Sequence, residues 1–326
     1  MQLSRRDLIK TSLALAGAGA WPAYAGPDWP RKPVKLVVPT AAGGGVDVAT
    51  RMLADQLRDI WGGTPAVVEN KTGGNTVIAV NSVLNAPGDG YNFLVTIGVT
   101  MQLPDLGQKI NFDPVTDLMP VGAITVEQLV VVVNAKSGIR TFEDLVAEAN
   151  KRGKGMTFGT FGIGSSAHVL ALQLGKVLKS EVLPVHYRGA ALAVQGVLSG
   201  EVDMALSNIG TVQQHIDAGT LRAIAATGED RYRFVRDVPT LKELGIPGFE
   251  FLSWIGVFAP KGTDLQVIDK LEADMRRALA EPALVAKING FYQEPGNFTP
   301  AQFQQVVQRE KTLLGSLIRE FGIRLE

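Results

Sequence analysis

Apolar positions along this 326-residue chain fall into short blocks, and the spacing inside the blocks switches between two periods. Residues 34–38 form an apolar run broken only by Lys35, which predicts a buried strand. Three glycines follow at 43–45. Val48, Met52, Leu53, Leu57 and Ile60 then recur at three- and four-residue steps, the period of an amphipathic helix that Gly62 and Gly63 end. A strand is predicted at 66–69, a loop at 70–75, a helix at 76–84, a turn cluster at 86–91 and a strand at 93–97. This βαβαβ order belongs to a parallel sheet covered on both faces.

A second series begins after the irregular, proline-marked stretch 101–120. Residues 128–133 are almost purely aliphatic and predict a strand; Thr141 and Asp144 then open a helix at capping-box spacing. A strand at 155–161 leads into another glycine loop. Ser165 or Ser166 caps the next helix, whose apolar face carries Val169, Leu170, Leu172, Leu174, Val177 and Leu178. Strands at 182–186, 202–206 and 221–227 alternate with helices at 190–198 and 209–218. The charged, proline-marked 230–247 reads as a surface connection, 249–259 as a strand returning to the first series, and 265–280, 283–289 and 300–321 as helices. Crossings near 124–127 and 253–256 divide the chain into one lobe of residues 26–125 plus 254–326 and another of 126–253, with the final helices expected on the first. The expected fold class is α/β, two-lobed, each lobe a βα-layered sheet, with a cleft between them.

Composition narrows the function classes. Apolar residues make up 46% and charged residues 20%, as in an ordinary globular protein, and the formal net charge is zero. Nothing here suggests a nucleic-acid footprint. With no cysteine there is no disulfide, thiolate metal site or cysteine nucleophile, and His168, His186 and His215 lack metal-ligand spacing, so neither metal nor cofactor is expected. The first residues add a compartment. Arg5 and Arg6, the apolar stretch 12–20 and Ala23-Tyr24-Ala25 have the order of a twin-arginine export signal cleaved after Ala25, which predicts a periplasmic protein. The apolar stretch is far short of the roughly 20 residues that span a bilayer.

The two glycine loops carry the candidate chemistry. Each follows a strand and precedes a helix, an arrangement that aims free backbone N–H groups and the positive end of a helix dipole at one point and so suits an anion. The first loop offers Ala41, Ala42, Gly43, Gly44 and Gly45, with Asp47 reading as a structural cap rather than a ligand contact. The second offers Thr160, Phe161, Gly164, Ser165, Ser166 and His168. Asn75, Thr100, Tyr187 and Asn208 follow other strands and are expected on the same rim as polar contacts, with Phe161 as an apolar wall. Residues 162–167 also fit GxGxxA, the dinucleotide pattern, but Glu181 precedes its strand instead of ending it. Ser166 and His168 are two apart on a helix and point apart, so they are no catalytic pair. GxSxG, P-loop and HExxH patterns are absent.

These motifs, in their order, resemble the Bug-type substrate-binding proteins of tripartite tricarboxylate transporters, over essentially the whole chain after the signal. They are Val38-Pro39 with Gly43-Gly44 and Asp47, Val68-Glu69-Asn70 with Gly73-Gly74-Asn75, 86–91, 162–168, Tyr187-Arg188-Gly189 and 200–203. Val238-Pro239-Thr240, 245–249, Ser253-Trp254-Ile255-Gly256 and 259–263 complete the set. The resemblance implies a type II-like periplasmic-binding-protein fold, a carboxylated ligand held between lobes, no catalysis, and delivery to membrane permease subunits by a monomer. Three departures stand out: Gly45-Val46 where the family usually has Ser or Thr, Thr160-Phe161 where it tends to have two serines, and Ser207 where an Asp is frequent. They imply a less polar pocket, for an aromatic or longer aliphatic mono- or dicarboxylate, with a dicarboxylate the first expectation. Two other functions stay open at this point: presenting a ligand to a sensor kinase ectodomain, and an exported nucleotide-dependent α/β enzyme.

Overall fold

The computed structural model describes residues 29–152 and 155–325, so the export signal proposed for 1–25 lies outside the described residues. The first part of the chain runs β1 (Val34–Val38), α1 (Gly45–Ile60), β2 (Ala66–Asn70), α2 (Val77–Leu84), β3 (Asn92–Ile97), the short helix α3 (Val99–Gln102) and β4 (Leu118–Glu127). The middle follows as β5 (Leu129–Asn134), α4 (Phe142–Arg152), β6 (Met156–Thr160), α5 (Ser166–Leu178), β7 (Val182–His186), α6 (Ala190–Ser199), β8 (Met204–Asn208), α7 (Ile209–Asp217) and β9 (Leu221–Ala226). The last part is β10 (Ser253–Pro260), α8 (Leu265–Leu279), α9 (Pro282–Gly290), β11 (Glu294–Pro295) and α10 (Pro300–Glu320).

The strands form two mixed sheets, a two-lobed α/β architecture. The first has the order β11-β4-β10-β3-β1-β2 and the second β7-β6-β8-β5-β9. β1 is parallel to β2 and β3, and β6 is parallel to β7 and β8, so each sheet delivers a group of strand C-termini to one edge, where the loops into helices begin. Both sheets are covered on both faces. Leu36 and Val38 pack with α1 and α8, while Val37 packs with α2 and α10. Val131 and Val133 face α4 and α5, while Val130 and Val132 face α6 and α7. That two-sided burial is why these strands read as continuous aliphatic runs.

The chain passes between the sheets along one antiparallel ladder. β10 pairs with β4 from Ser253 opposite Glu127 to Pro260 opposite Leu118. β4 runs on through Gln128 into β5 of the second sheet. β4 is a ten-residue strand where the sequence predicts irregular chain as far as Pro120. Pro120 lies where the register shifts between Val257 and Phe258, opposite it, and an irregularity of that kind is where a ladder can take a proline. The returning strand starts later than predicted: Phe249 and Phe251 are buried in the second sheet's core, ahead of β10.

The last helix belongs to both cores. Thr299 and Gln302 form a capping box and Pro300 occupies the first turn. In its first half Phe303 and Val307 pack with Trp254 and Phe258 of β10. In its second half Leu314, Leu317 and Ile318 join Leu170, Leu174 and Phe249 in the core of the second sheet. The sequence places the final helices on the first lobe, and α10 spans the two because its apolar stripe continues beyond the edge of the first sheet.

Phe303 is fully buried, edge-on to Trp254 at 5.3 Å between centroids, and its ring fills the space a side chain on Gly256 would take. Phe303→Ala is expected to cost about 3–5 kcal/mol, read as a lower urea midpoint with an unchanged slope.

Candidate ligand-binding site

The first glycine loop is wired from within by one carboxylate. Asp47, in the first turn of α1, is buried. Its Oδ2 accepts the Gly43 N–H at 2.8 Å and Arg51 Nε at 2.9 Å. Its Oδ1 accepts Asn70 Nδ2 at 2.9 Å, and Asn70 also donates to the Thr40 carbonyl at 2.9 Å. Loop, helix and the end of β2 are thereby joined at a single side chain, the structural role the sequence suggests for Asp47. Hydrogen bonding from Arg51 first, then from the Gly43 backbone and Asn70, outweighs burial and lowers the Asp47 carboxyl to about 2. Gly43, at φ +81°, adopts the left-handed turn that lets its N–H reach the carboxylate. Gly44 N–H is also spent inside the loop, on the Ala41 carbonyl at 3.2 Å. Two of the amides expected to face a ligand are therefore engaged. The first intrahelical bond runs from Val48 N–H to the Gly44 carbonyl, so the first-turn donors without an intrahelical partner are Gly45, Val46 and Asp47. Ala41, Ala42, Gly43 and Gly45 are exposed, while Val46 and Asp47 are buried residues.

The second loop is wired the same way with different groups. Ser165 is the N-cap of α5: its Oγ accepts the His168 N–H at 3.3 Å and donates to the Gly162 carbonyl at 2.6 Å. Gly164 N–H donates to His168 Nδ1 at 3.2 Å, which assigns the ring proton to Nε2. Thr160 Oγ1 meets His186 Nδ1 at 2.7 Å and accepts Gly162 N–H at 3.3 Å. The two imidazoles stand edge to face, 4.5 Å apart. Burial, and then its neighbour His186, lowers His168 to about 4; burial also lowers His186. His168 is thus a neutral support of the loop. Ser166 is the first residue of α5, directly after the N-cap Ser165. Phe161 is half-buried against the second lobe's core. The loop also touches the first lobe: a side chain on Gly164 would come within 2.4 Å of Leu106, just beyond α3.

The other predicted rim residues divide into two sets. Asn75 is exposed at the start of α2, in a run of four positive φ values, Gly73 +116°, Gly74 +57°, Asn75 +50° and Thr76 +80°. Two consecutive non-glycine residues in this region are costly and persist only where surroundings hold them. Thr100 does the holding: its hydroxyl donates to Thr76 Oγ1 at 3.0 Å and meets Thr96 Oγ1 at 2.6 Å. Thr100 is fully buried, so it lies behind the rim instead of on it. Tyr187 is also turned away. Its phenol covers Gly196 of α6, and burial, with Glu201 nearby, raises its pKa. Asn208 ends β8 and accepts from Thr211 at 2.7 Å. The supports Arg51, His186 and Leu106 were not singled out from sequence as site residues. The partners of His186 and Leu106 lie far off along the chain, whereas Arg51, four residues after Asp47, carried only the ordinary spacing of a helical ion pair. Asn70 was legible as a polar amide at a strand end.

The tripartite tricarboxylate transporter family receptor pattern matches residues 49–323. The chain belongs to that family. It is 30% identical to BugT of Bordetella pertussis over 98% of this chain and 99% of that one. Among solved structures it is similar to an R. palustris protein, Rpa4515, with adipate (28% identity, TM-score 0.78, 91% of this chain and 99% of that one). It is also similar to MatC from Rhodopseudomonas palustris with bound malate (26% identity, TM-score 0.74, 89% and 100%). The tripartite tricarboxylate receptor family, like this fold, is one of solute-binding proteins, and the two loops of this member occupy equivalent places in its two sheets: strand end, glycine turn, helix start.

Asp47→Asn removes the charge that draws Gly43 N–H and Arg51 together, and should lower the melting temperature at neutral pH. Because the folded-state pKa is depressed, the stabilisation from Asp47 is present above about 3.8 and is lost as pH falls through about 2. Acid unfolding of the variant should therefore lack that part of the wild-type pH dependence, measured by circular dichroism.

Proposed function

We propose that this protein captures an organic carboxylate between its lobes in the periplasm and delivers it to the permease of a tripartite tricarboxylate transporter. The observation that carries this is the pair of strand–glycine loop–helix starts, one per sheet, each with its loop amides tied internally and its first-turn amides unused by the helix. The relatives bound to adipate and malate support the ligand class. Gly45 and Val46 donate to one carboxylate, within the frame of Ala41, Ala42, Gly43 and Gly44. Ser166 and its neighbouring amide donate to the other end of a dicarboxylate, with Thr160, Gly164, Ser165 and His168 shaping that loop. Asn75 and Asn208 are rim contacts, Phe161 is an apolar wall, and Thr100 and Tyr187 act from behind. The lobes are residues 26–125 plus 254–326 and 126–253, with α10 shared, and a twin-arginine signal cleaved after Ala25 accounts for export. No cofactor, metal or reaction enters, and the protein acts as a monomer.

A thermal-shift screen against aliphatic and aromatic mono-, di- and tricarboxylates tests the ligand class. A ligand at about 100 times its Kd adds roughly 2.7 kcal/mol, a shift of several degrees. Adipate-length and aromatic acids should shift the protein more than malate or citrate; the reverse order would remove Phe161 as a wall, and no shift with any acid would overturn the carboxylate reading.

Gly45→Pro tests the donor assignment. Position 45 is the first helical residue, where proline fits, and Gly44 at φ −72°, ψ 162° already has the extended conformation a following proline demands. The variant should keep its melting temperature and lose at least about tenfold in carboxylate affinity by calorimetry, or about 1.4 kcal/mol. Unchanged affinity would contradict the assignment.

A further inference from the structure

Glu310 lies midway along α10 with its carboxyl group packed on the backbone of Gly98. A Cβ built on Gly98 would come within 2.4 Å of Glu310 Oε1 and 2.6 Å of Oε2. Gly98 has φ −52° and ψ −33°, values open to any residue, so its own backbone does not call for glycine. The carboxyl group above it does. Gly98 is where β3 turns into α3, and α3 carries Thr100, which holds Thr76 and the left-handed run presenting Asn75. Gln102 Nε2 ties the same turn to the Glu310 carbonyl at 3.4 Å. Glu310 also falls where α10 leaves one core for the other, between Val307 and Leu314.

We propose that Glu310 is a positioning residue for the ligand site. Its carboxyl group, packed against Gly98, sets the pose of the 98–102 turn and, through Thr100 and Thr76, that of Asn75; loss of the proton from that carboxyl group weakens ligand binding. The inference rests on the carboxylate-binding function proposed above. Burial pushes the Glu310 carboxyl up to about 8, with Trp254 acting in the opposite sense. The surrounding charges are engaged with one another. Asp105, beyond α3, pairs with Lys311 and Arg319, and Arg309 pairs with Glu229. β3 and β10 present the uncharged Thr96 and Trp254. Since the packed state binds its proton more tightly than an exposed carboxyl with the ordinary value of 4.5, the stabilisation is fully present below that value and is lost as pH rises through about 8.

Adipate is the probe, titrated calorimetrically from about pH 6.5 to about pH 9.5, with tryptophan fluorescence of the ligand-free protein followed over the same range. Wild-type affinity should fall by about tenfold across this range. Glu310→Gln, a neutral isostere, should bind like wild type at the acid end and show no fall. Gly98→Ala should bind weakly at every pH. Without ligand, a fluorescence step near pH 8 should be present in wild type and absent from Glu310→Gln and from Trp254→Phe. A wild-type pH profile retained by Glu310→Gln would overturn the proposal, as would a loss in that variant at the acid end equal to that of Gly98→Ala. If adipate binds at no pH, the ligand reading fails alone; the fluorescence step then decides whether Glu310 poses the turn, and its absence removes that role.

Discussion

The antiparallel ladder between β4 and β10 is the constraint on which the remaining architecture depends. Both strand connections between the sheets emerge from its Glu127–Ser253 end, so the two sheets share one seam. Its length, from Pro260 opposite Leu118 to Ser253 opposite Glu127, anchors that seam in the first sheet. The strand ends that feed the glycine loops are then placed by parallel pairing within each sheet. A rotation about the seam, as capture of a ligand between the lobes would need, would carry each loop with its own sheet.

Within each loop the polar side chains are spent on the loop itself. Asp47 takes Gly43 N–H, and His168 takes Gly164 N–H. Ser165 caps α5 instead of reaching outward, and Thr160 is locked to His186. What remains for a ligand is chiefly backbone at two helix starts. Such donors cost little to preorganise, because helix geometry and the ties behind it already fix them. They also discriminate poorly among anions, so on the proposed reading the choice among carboxylates would pass to the shape and polarity around them, the role proposed for Phe161 and Asn75.

Much of this was legible in the sequence because it is written locally. The helix starting near Val46, the capping pair Thr141–Asp144 and the aliphatic β5 follow from periodicity and spacing over a few residues. The glycine loops were visible for the same reason. What escaped depends on distant partners. β4 reads as irregular because Pro120 hides a strand that only its pairing with β10 reveals. β11 is two residues long and has no periodicity to detect. Thr100 and Tyr187 look like rim residues because they follow strands, yet whether such a side chain points into a cleft or back at a helix depends on packing space, here the hydroxyl of Thr76 and the bare backbone of Gly196.

The shared helix has a bearing on how such proteins diversify. Residues 126–253 are contiguous, and a recombination event could in principle exchange them as a block. The core they would carry is incomplete, since Leu106, Leu314, Leu317 and Ile318 come from outside the block. A lobe transplanted at those borders would meet a foreign α10 whose apolar stripe was fitted to another interior. On packing grounds, point changes in the loops would disturb less of the interior than exchange of a lobe, because the second core and the last helix are fitted to each other.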